Sequence, residues 1–397
     1  MLYRRVPKTG EELSILGFGC MRLPQKDGRI DEERAARQIR HAIDRGVNYI
    51  DTAWPYHGGE SEPFVGRALT GGYRERAKLA TKLPAWLVKN RADMDRYLDA
   101  QLQKLAATTI DYYLVHSMSG ENWARIAALG VAEFLDRAKA DGRIGNAGFS
   151  YHGTRADFQP IVDAYPWECC PIQDNYLDEE QQAGTEGLQY AAAAGLAVIV
   201  MEPLRGGTLA AVPQPPAVDA VWREAGRNWS PAEWALRWVW NHPETTVVLS
   251  GMNDEAQVEE NLRIAGDAYP GFLTAVEIDV VTRVARKYRE IMKVACTGCG
   301  YCQPCPSGVN ISGGFEVFNL FHTFGKQQEA RFLYVLRAGG ILSGQPGYAS
   351  QCAHCQDCLE KCPQGLAIPD LLEQVAAEFE DAELKQREAM ARSLFAK

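Results

Sequence analysis

Short apolar runs alternate with helix-patterned stretches through the first two thirds of the chain. The apolar runs predict strands at residues 18–21, 47–51, 77–82, 110–116, 144–150, 170–175, 197–202 and 246–250. Helical patterns lie at 31–45, 61–69, 91–105, 131–140, 155–164, 184–194, 231–241 and 255–265. Eight strand–helix units in about 250 residues predict an α/β fold, a parallel (β/α)8 TIM barrel.

The two ends of the chain have other patterns. Residues 3–6 and 13–16 flank a turn and predict a hairpin that closes the bottom of the barrel. Helical spacing predicts helices at 274–294, 315–324 and 330–336, and a charged terminal helix at 370–395. We therefore expect a barrel at 1–272, a linker helix at 273–294, and a mainly helical, cysteine-rich domain at 295–397.

Charge and hydropathy narrow the class of protein. The net charge is −9 and the sequence has no basic stripe, which argues against nucleic-acid binding. No apolar stretch reaches about 18 residues, so no membrane span is expected. The N-terminus has no apolar secretory segment. These features favour a cytoplasmic location, where thiols stay reduced.

Eight of the eleven cysteines form two tight runs, and each run ends in proline. The second run reads C-x2-C-x2-C-x3-C-P, and the first differs only in its last gap. This pattern resembles bacterial ferredoxins, in which the fourth cysteine of each run ligates the other cluster. The resemblance implies two 4Fe–4S clusters, one held by Cys296, Cys299, Cys302 and Cys362, the other by Cys352, Cys355, Cys358 and Cys305.

Zinc and disulfide bonds are the alternatives for these cysteines. Structural zinc uses four ligands, usually as two separated pairs, rather than two runs of four. Disulfides require an oxidising compartment. The remaining thiols, Cys20, Cys169 and Cys170, lie in apolar segments and are expected in the core.

Four polar residues stand at or just after the ends of successive predicted strands. Because catalytic groups of such barrels lie at the C-terminal strand ends, Asp51, Tyr56, Lys82 and His116 are expected to share one pocket. A lysine ammonium beside a phenol favours its ionised form, and an aspartate would hold that lysine in place. Tyr56 is therefore expected to donate or accept a proton beside a hydride-transfer centre, while His116 orients a carbonyl.

The segments 48–56, 79–82 and 111–116, which contain these four residues, resemble the catalytic segments of the aldo-keto reductases. The barrel followed by cysteine runs resembles a bacterial subgroup of that family with a ferredoxin-like C-terminal domain. The resemblance implies an NAD(P)H-dependent oxidoreductase acting on a small carbonyl or alcohol substrate.

The same resemblance implies a set of coenzyme contacts. Ser150 and Gln173 match residues that bind the carboxamide, although Tyr151 stands where relatives often have asparagine. Met201 matches the position that packs on the nicotinamide face. Pro203 and Leu204 follow Met201 and are expected among the coenzyme contacts. The backbone at Arg205 and Gly206 would approach the pyrophosphate, and Arg205 would pair with it. The adenosine segment would comprise Ser250, Gly251, Met252, Gln257, Glu260 and Asn261.

Residues 245–262 contain no lysine or arginine and several acidic residues. A 2′-phosphate needs cationic partners, so this segment favours NAD(H) over NADP(H). The nearest candidate cation is Arg263.

The cysteine runs leave a second function open. Nicotinamide transfers two electrons as a hydride, whereas a cluster accepts one, and no flavin motif is evident. The chain is therefore either a carbonyl reductase whose clusters are redox-active or structural, or an electron-transfer or redox-sensing protein whose barrel binds nicotinamide without ordinary turnover. An electron-transfer partner protein is possible in either case.

Overall fold

The computed structural model describes residues 1–341 and 345–395, with side chains described up to residue 392. The predicted C-terminal domain, 295–397, thus includes residues 342–344 and 396–397, which lie outside the described residues. The chain divides into two compact units. The first comprises residues 1–204 and 232–275, and the second comprises residues 205–231 and 276–397.

Eight parallel strands of the first unit form a closed barrel in the order β10-β11-β12-β3-β6-β7-β8-β9. This arrangement confirms the predicted (β/α)8 fold. In chain order, the described strands are β1 Tyr3–Arg5, β2 Glu12–Ser14, β3 Leu16–Gly19, β4 Gln25–Lys26, β5 Arg29–Ile30, β6 Tyr49–Asp51, β7 Lys78–Leu83, β8 Ile110–Met118, β9 Ile144–Tyr151, β10 Cys169–Gln173, β11 Ala197–Met201 and β12 Thr245–Ser250.

Helices follow the barrel strands in the first unit and form most of the regular structure of the second. The described α-helices are α1 Glu32–Asp44, α2 Ser61–Ala68, α3 Arg91–Lys104, α4 Gly120–Ala128, α5 Val131–Ala140, α6 Arg155–Asp163, α7 Gly184–Ala193, α8 Pro216–Glu224, α9 Pro231–Asn241, α10 Glu255–Ile264, α11 Ala275–Ile291, α12 Ile311–Thr323, α13 Gln327–Ala338, α14 Ile368–Phe379 and α15 Leu384–Phe395.

The barrel interior is filled by apolar side chains, including those of Tyr49, Tyr112 and Ile199. The predicted N-terminal hairpin is confirmed, since β1 pairs with β2 in antiparallel register. Arg4 of this hairpin donates hydrogen bonds to the carbonyls of Trp240 and His242, which precede β12. The hairpin therefore lies at the N-terminal end of the barrel, and the C-terminal strand ends are left for chemistry.

The second unit has its own apolar core, built mainly from α12, α13 and α14. Phe315, Phe318, Tyr334 and Phe379 are buried in it. Six cysteines are partly buried and pack against this core, namely Cys296, Cys302, Cys305, Cys352, Cys358 and Cys362.

The structure corrects two details of the predicted elements. The first barrel strand is β3, Leu16–Gly19, rather than residues 18–21. The predicted single helix at 370–395 is wrong, because α14 ends before Glu380, whose backbone leaves the helical region. Arg387 donates to the carbonyl of Phe379, and Asp381 accepts from the amide of Glu383, so local side-chain hydrogen bonds stabilise the break.

None of the helices in the described residues has the length and apolar character needed to cross a membrane.

Candidate functional site

The four predicted catalytic residues, which form the tetrad Asp51, Tyr56, Lys82 and His116, come from neighbouring elements at one end of the barrel. Asp51 is the last residue of β6, and Tyr56 opens a short 3-10 turn after it. Lys82 lies near the end of β7 and His116 near the end of β8. Parallel pairing of β6 with β7 and of β7 with β8 sets these ends side by side.

A buried lysine joins the aspartate to the tyrosine. Lys82 Nζ lies 2.6 Å from Asp51 Oδ1, 2.8 Å from the carbonyl oxygen of Thr52 and 3.4 Å from Tyr56 Oη. Burial raises the pKa of Asp51, while the charge of Lys82 opposes that rise. The ammonium is thus held in place by two oxygens and stands beside the phenol.

His116 is buried beside two aromatic rings. Its ring centroid lies 6.3 Å from that of Tyr56 and 5.1 Å from that of Trp86. Burial, together with the charge of Lys82, holds the pKa of His116 well below its usual value, so the imidazole is neutral at neutral pH. Its Nδ1 atom has no hydrogen-bond partner among the described residues, and a neutral ring can donate or accept one bond to a substrate.

A network of buried polar groups contacts the backbone of Lys82 and its neighbour Thr81. Glu62 accepts hydrogen bonds from Thr81 Oγ1 at 2.7 Å and Gln101 Nε2 at 2.5 Å. Gln101 also donates to the carbonyl of Lys82 at 3.0 Å, and its own oxygen accepts from Tyr113 at 2.8 Å. This network fixes the backbone of β7 at Lys82.

His152 is a site residue that the sequence interpretation missed. It follows β9, and its Nδ1 lies 3.2 Å from Gln182 Oε1. Burial lowers the pKa of His152 to about 4, and the charge of Lys82 contributes to the shift. The charge of Lys82 lowers the pKa of both His116 and His152. His152 is therefore a second neutral imidazole near Lys82.

The predicted carboxamide contacts lie at adjacent strand ends. Ser150 Oγ accepts a hydrogen bond from the amide of Ser117 at 2.9 Å. Gln173 donates to Asp178 Oδ2 at 2.9 Å and accepts from Gln182 at 3.2 Å. Both side chains are buried, and these hydrogen bonds fix their orientation. The neighbouring groups therefore determine which donors and acceptors of Ser150 and Gln173 are left for a ligand.

The predicted nicotinamide-face and pyrophosphate residues divide between the two units. Met201 is half-buried at the end of β11, Pro203 is buried and Leu204 is half-buried, all in the first unit. Arg205 and Gly206 belong to the second unit, where Arg205 Nη1 lies 2.9 Å from Met292 Sδ. Pairing of Arg205 with a pyrophosphate stays a prediction.

The predicted adenosine segment follows β12. Ser250 Oγ accepts from Asn261 Nδ2 at 2.7 Å, and Gln257 Oε1 accepts from the amide of Asn253 at 3.1 Å. Met252 is buried and Glu260 is half-buried. A side chain at Gly251 would meet carbon atoms of Arg22 at 3.2–3.4 Å, so the aliphatic stem of that arginine lies over the glycine.

Arginines around this segment already have acidic partners. Arg263 Nη2 lies 2.6 Å from Glu233 Oε2, and Arg34 Nη2 lies 2.5 Å from Glu255 and 3.1 Å from Asp254. Arg22 Nη2 lies 3.7 Å from Glu202 Oε1. Arg22 and Arg34 come from elements distant in sequence, so inspection of residues 245–262 could not find them.

The cysteines form two electrostatic groups that cross between the runs. Burial raises the pKa of Cys296 to about 11 and that of Cys302 to about 12, and in both cases nearby Cys299 and Cys362 add to the rise. Burial also raises the pKa of Cys358, with contributions from Cys352, Cys355 and Cys305. These neighbours are the two sets of four thiols that the ferredoxin resemblance implies.

The donor chemistry fits an iron–sulfur cube. A cleft lined by Cys302, Cys305, Cys352, Cys355 and Cys358 lies in the second unit. Within the described part of the chain, no three His, Cys, Asp or Glu side chains already converge to hold one metal ion. In a four-iron cube each iron takes one thiolate, so four separated thiols suit the cube rather than a single ion.

Comparison with protein families assigns both parts of the sequence. The aldo/keto reductase family matches residues 15–266, which is more than half of the chain. The chain belongs to the aldo/keto reductase family. A 4Fe–4S dicluster domain matches residues 295–367, so this aldo/keto reductase carries a ferredoxin-like domain after its barrel.

Individual relatives agree with this assignment. The chain is 27% identical over 290 residues to 6-dehydroglucose reductase of Novosphingobium aromaticivorans, covering 65% of this chain and 88% of that protein. It is also 27% identical over 299 residues to the NADH-specific methylglyoxal reductase of Escherichia coli, covering 64% and 90%.

A solved structure gives the same result for the barrel. The holo form of an aldo-keto reductase from Bacillus halodurans superimposes with a TM-score of 0.60 at 25% identity, covering 72% of this chain and 96% of that one. This chain is an oxidoreductase of the family, and the two relatives named above are reductases.

Three residues of this aldo/keto reductase were missed by sequence reasoning, although a positional signal existed. Arg22, Trp86 and His152 each follow a barrel strand within a few residues, after β3, β7 and β9. Residues after the strands are where such barrels place their binding groups. Position after a strand selects many loop residues, however. Only the contacts in the folded chain distinguish Arg22, Trp86 and His152 from the others.

Proposed function

We propose that this protein transfers hydride between a nicotinamide coenzyme and a small carbonyl or alcohol substrate. The observation that carries the proposal is the chain of contacts Asp51–Lys82–Tyr56, with His116 buried beside it. Aldo/keto reductases act on carbonyl compounds, and a bound nicotinamide supplies or accepts the hydride.

The side chains of the protein donate a proton and a hydrogen bond to the carbonyl oxygen of the substrate. In the reduction direction, hydride adds to the carbonyl carbon, and Tyr56 gives its hydroxyl proton to the carbonyl oxygen. Lys82, 3.4 Å from Tyr56 Oη, stabilises the tyrosinate that forms, and a solvent proton later restores the phenol. Neutral His116 donates a hydrogen bond to the same oxygen and orients the carbonyl.

For the coenzyme, the proposal assigns the carboxamide to Ser150 and Gln173 and the nicotinamide face to Met201. Their support is their place at the ends of β9, β10 and β11, beside the tetrad strands. Ser250, Gly251, Met252, Gln257, Glu260 and Asn261 are assigned to the adenosine. Arg22, over Gly251, is the added candidate for a phosphate contact.

For the second unit, we infer two 4Fe–4S clusters with crossed ligand sets. Cys296, Cys299, Cys302 and Cys362 would hold one, and Cys352, Cys355, Cys358 and Cys305 the other. The electrostatic grouping of these thiols and the match to a dicluster domain support the inference. Anaerobic analysis of iron and sulfide, before and after reconstitution, should give about eight irons per chain. A reconstituted value near four would contradict it.

The test of the main function is Tyr56→Phe. Removal of the hydroxyl should lower kcat/KM for carbonyl reduction by about 10²–10⁴-fold, because the proton donor is lost. NADH binding should remain. The panel should include methylglyoxal and 6-dehydroglucose, on which the named relatives act. Full turnover by Tyr56→Phe on every active substrate would overturn the role.

An electron-transfer or redox-sensing role is the second candidate, and the dicluster domain favours it. In that case a partner protein would exchange electrons with the clusters. NADH added to the oxidised protein should then produce the electron paramagnetic resonance signal of a reduced cluster, with no carbonyl substrate present. Carbonyl turnover that is unaffected when the clusters cannot be reduced would favour the plain reductase.

A further inference from the structure

Arg205 is buried in the second unit, beside the segment that opens the first cysteine run. Its side chain is only 3% exposed. Nη1 lies 2.9 Å from Met292 Sδ, and Nη2 lies 3.5 Å from the carbonyl oxygen of Ala295. Ala295 directly precedes Cys296, so the guanidinium lies next to a predicted cluster ligand.

The backbone after Arg205 is fixed against the same segment. Gly206 has a φ of +66°, and a Cβ built on it would lie 2.1 Å from the carbonyl oxygen of Thr297. Further along, the hydroxyl of Tyr288 in α11 donates to Gln214 Oε1 at 2.5 Å. These contacts fix the backbone on the C-terminal side of Arg205, and the guanidinium itself is held by Met292 and Ala295.

A fixed positive charge here acts on the cluster electrostatically. Arginine remains charged at every accessible pH, and its field is strong where water is excluded. A cube with four thiolates is an anion, and reduction adds one more negative charge. Net charge and hydrogen bonding around a cluster set its reduction potential. A buried cation near one ligand therefore favours the reduced state.

We propose that Arg205 raises the reduction potential of the cluster held by Cys296, Cys299, Cys302 and Cys362. This inference rests on the proposed ligand set. It gives Arg205 a role in the cluster site, although it stands 91 positions before Cys296 and only four positions after the end of β11. Arg205 acts through charge and touches no substrate.

The test is a potentiometric titration of full-length, reconstituted protein with dithionite, followed by electron paramagnetic resonance. Arg205→Gln should shift the first cluster's midpoint to a more negative potential. We expect a tenfold lower ratio of reduced to oxidised cluster at fixed potential, or about 59 mV for one electron. Arg205→Lys keeps the charge and should recover most of the shift.

The matched control is Arg286→Gln on α11, which removes the same charge from an exposed position. Solvent screening should leave both potentials unchanged in that variant. An assembled first cluster with an unaltered potential in Arg205→Gln would overturn the inference. Absence of that cluster in the wild-type protein would instead overturn the ligand assignment on which it rests.

If Arg205→Gln fails to assemble the cluster, Met292→Glu provides a second test of whether the charge of Arg205 raises the reduction potential. Met292 is half-buried and its sulfur contacts the guanidinium, so a carboxylate there would neutralise the charge while Arg205 remains. The first cluster's potential should fall in Met292→Glu as well. An unchanged potential would overturn the inference, whatever Arg205→Gln had done to assembly.

Discussion

Lys82 and Asp51 form a buried ion pair, with Nζ 2.6 Å from Oδ1 and side chains only 3% and 4% exposed. Such a pair gains little net stability, because the loss of hydration offsets the attraction. Its value here is positional, since it holds an ammonium 3.4 Å from the hydroxyl of Tyr56. Removal of one partner leaves the other charge buried and uncompensated.

The first prediction is therefore that Asp51→Asn damages both stability and catalysis. The free energy of unfolding should fall by about 3–5 kcal/mol, because Lys82 keeps a buried charge without its partner. Carbonyl reduction should fall at least about 10²-fold in kcat/KM, because the ammonium no longer has a fixed position. Denaturant unfolding and steady-state kinetics measure the two effects.

Asp44→Asn is the control for that change. Asp44 pairs with Arg76 at 2.8 Å, but both side chains are about half exposed. Solvent screens a surface pair of this kind, so this variant should behave nearly as wild type. Equal losses in Asp51→Asn and Asp44→Asn would contradict a special role for the buried pair.

The second prediction concerns pH and His152. Its folded-state pKa of about 4 lies below the unfolded value of about 6.5, so the folded protein favours the neutral ring. The resulting stability is present above pH 6.5 and is lost as pH falls toward 4. Between pH 7.5 and 5.5 this group should cost about 1.4 kcal/mol.

His152→Gln should remove that part of the acid sensitivity of the barrel. Unfolding by urea, followed by tryptophan fluorescence under anaerobic conditions, compares the two proteins at both pH values. The same slope in wild type and His152→Gln would show that His152 is not held neutral by burial.

The third prediction separates two adjacent glycines. Both Gly206 and Gly207 have positive φ, at +66° and +97°, so alanine strains the backbone at either position. Only at Gly206 would the new methyl group collide with the carbonyl of Thr297, whereas nothing lies within 4 Å at Gly207. Gly206→Ala should therefore speed the loss of the first cluster, which is the one assigned to Cys296, Cys299, Cys302 and Cys362. Gly207→Ala should change the rate of that loss much less.

Release of iron to a chelator, measured anaerobically, tests this difference. Gly206→Ala should show a fast phase that corresponds to half of the iron, because the displaced backbone at Thr297 adjoins Cys296, which is assigned to the first cluster alone. Equal release rates in the two variants would mean that the contact with Thr297 does not support the cluster segment.

The fourth prediction is that NADH binds at least as tightly as NADPH. Arg263 and Arg34, which flank the adenosine segment, are already paired with Glu233 and Glu255. A 2′-phosphate would have to compete for them. The expected advantage of NADH is about 1–2 kcal/mol, because a surface phosphate stays partly hydrated and screened.

Dissociation constants for both coenzymes at one ionic strength decide this prediction. A clear preference for NADPH would contradict it and would point to Arg22 over Gly251. Arg22→Ala would then weaken NADPH binding more than NADH binding, while Arg263→Ala serves as the comparison.

The sequence alone determined the class of fold, and it was sufficient to predict the tetrad. Strand and helix patterns are local, and a closed barrel follows from their alternation. Asp51, Lys82 and His116 could be found because strand ends of a barrel meet at one rim, so position along the chain implies proximity. The two cysteine runs are likewise recognisable because their ligands lie close together in sequence.

The tertiary structure decided which distant residues meet. His152, Arg22 and Arg34 reach their neighbours through folding, and their partners lie far from them in sequence. Arg205 follows a barrel strand but is buried against Met292 and Ala295. The contacts of Arg205 join residues that are far apart in sequence, so the residues adjacent to it in the chain do not predict them.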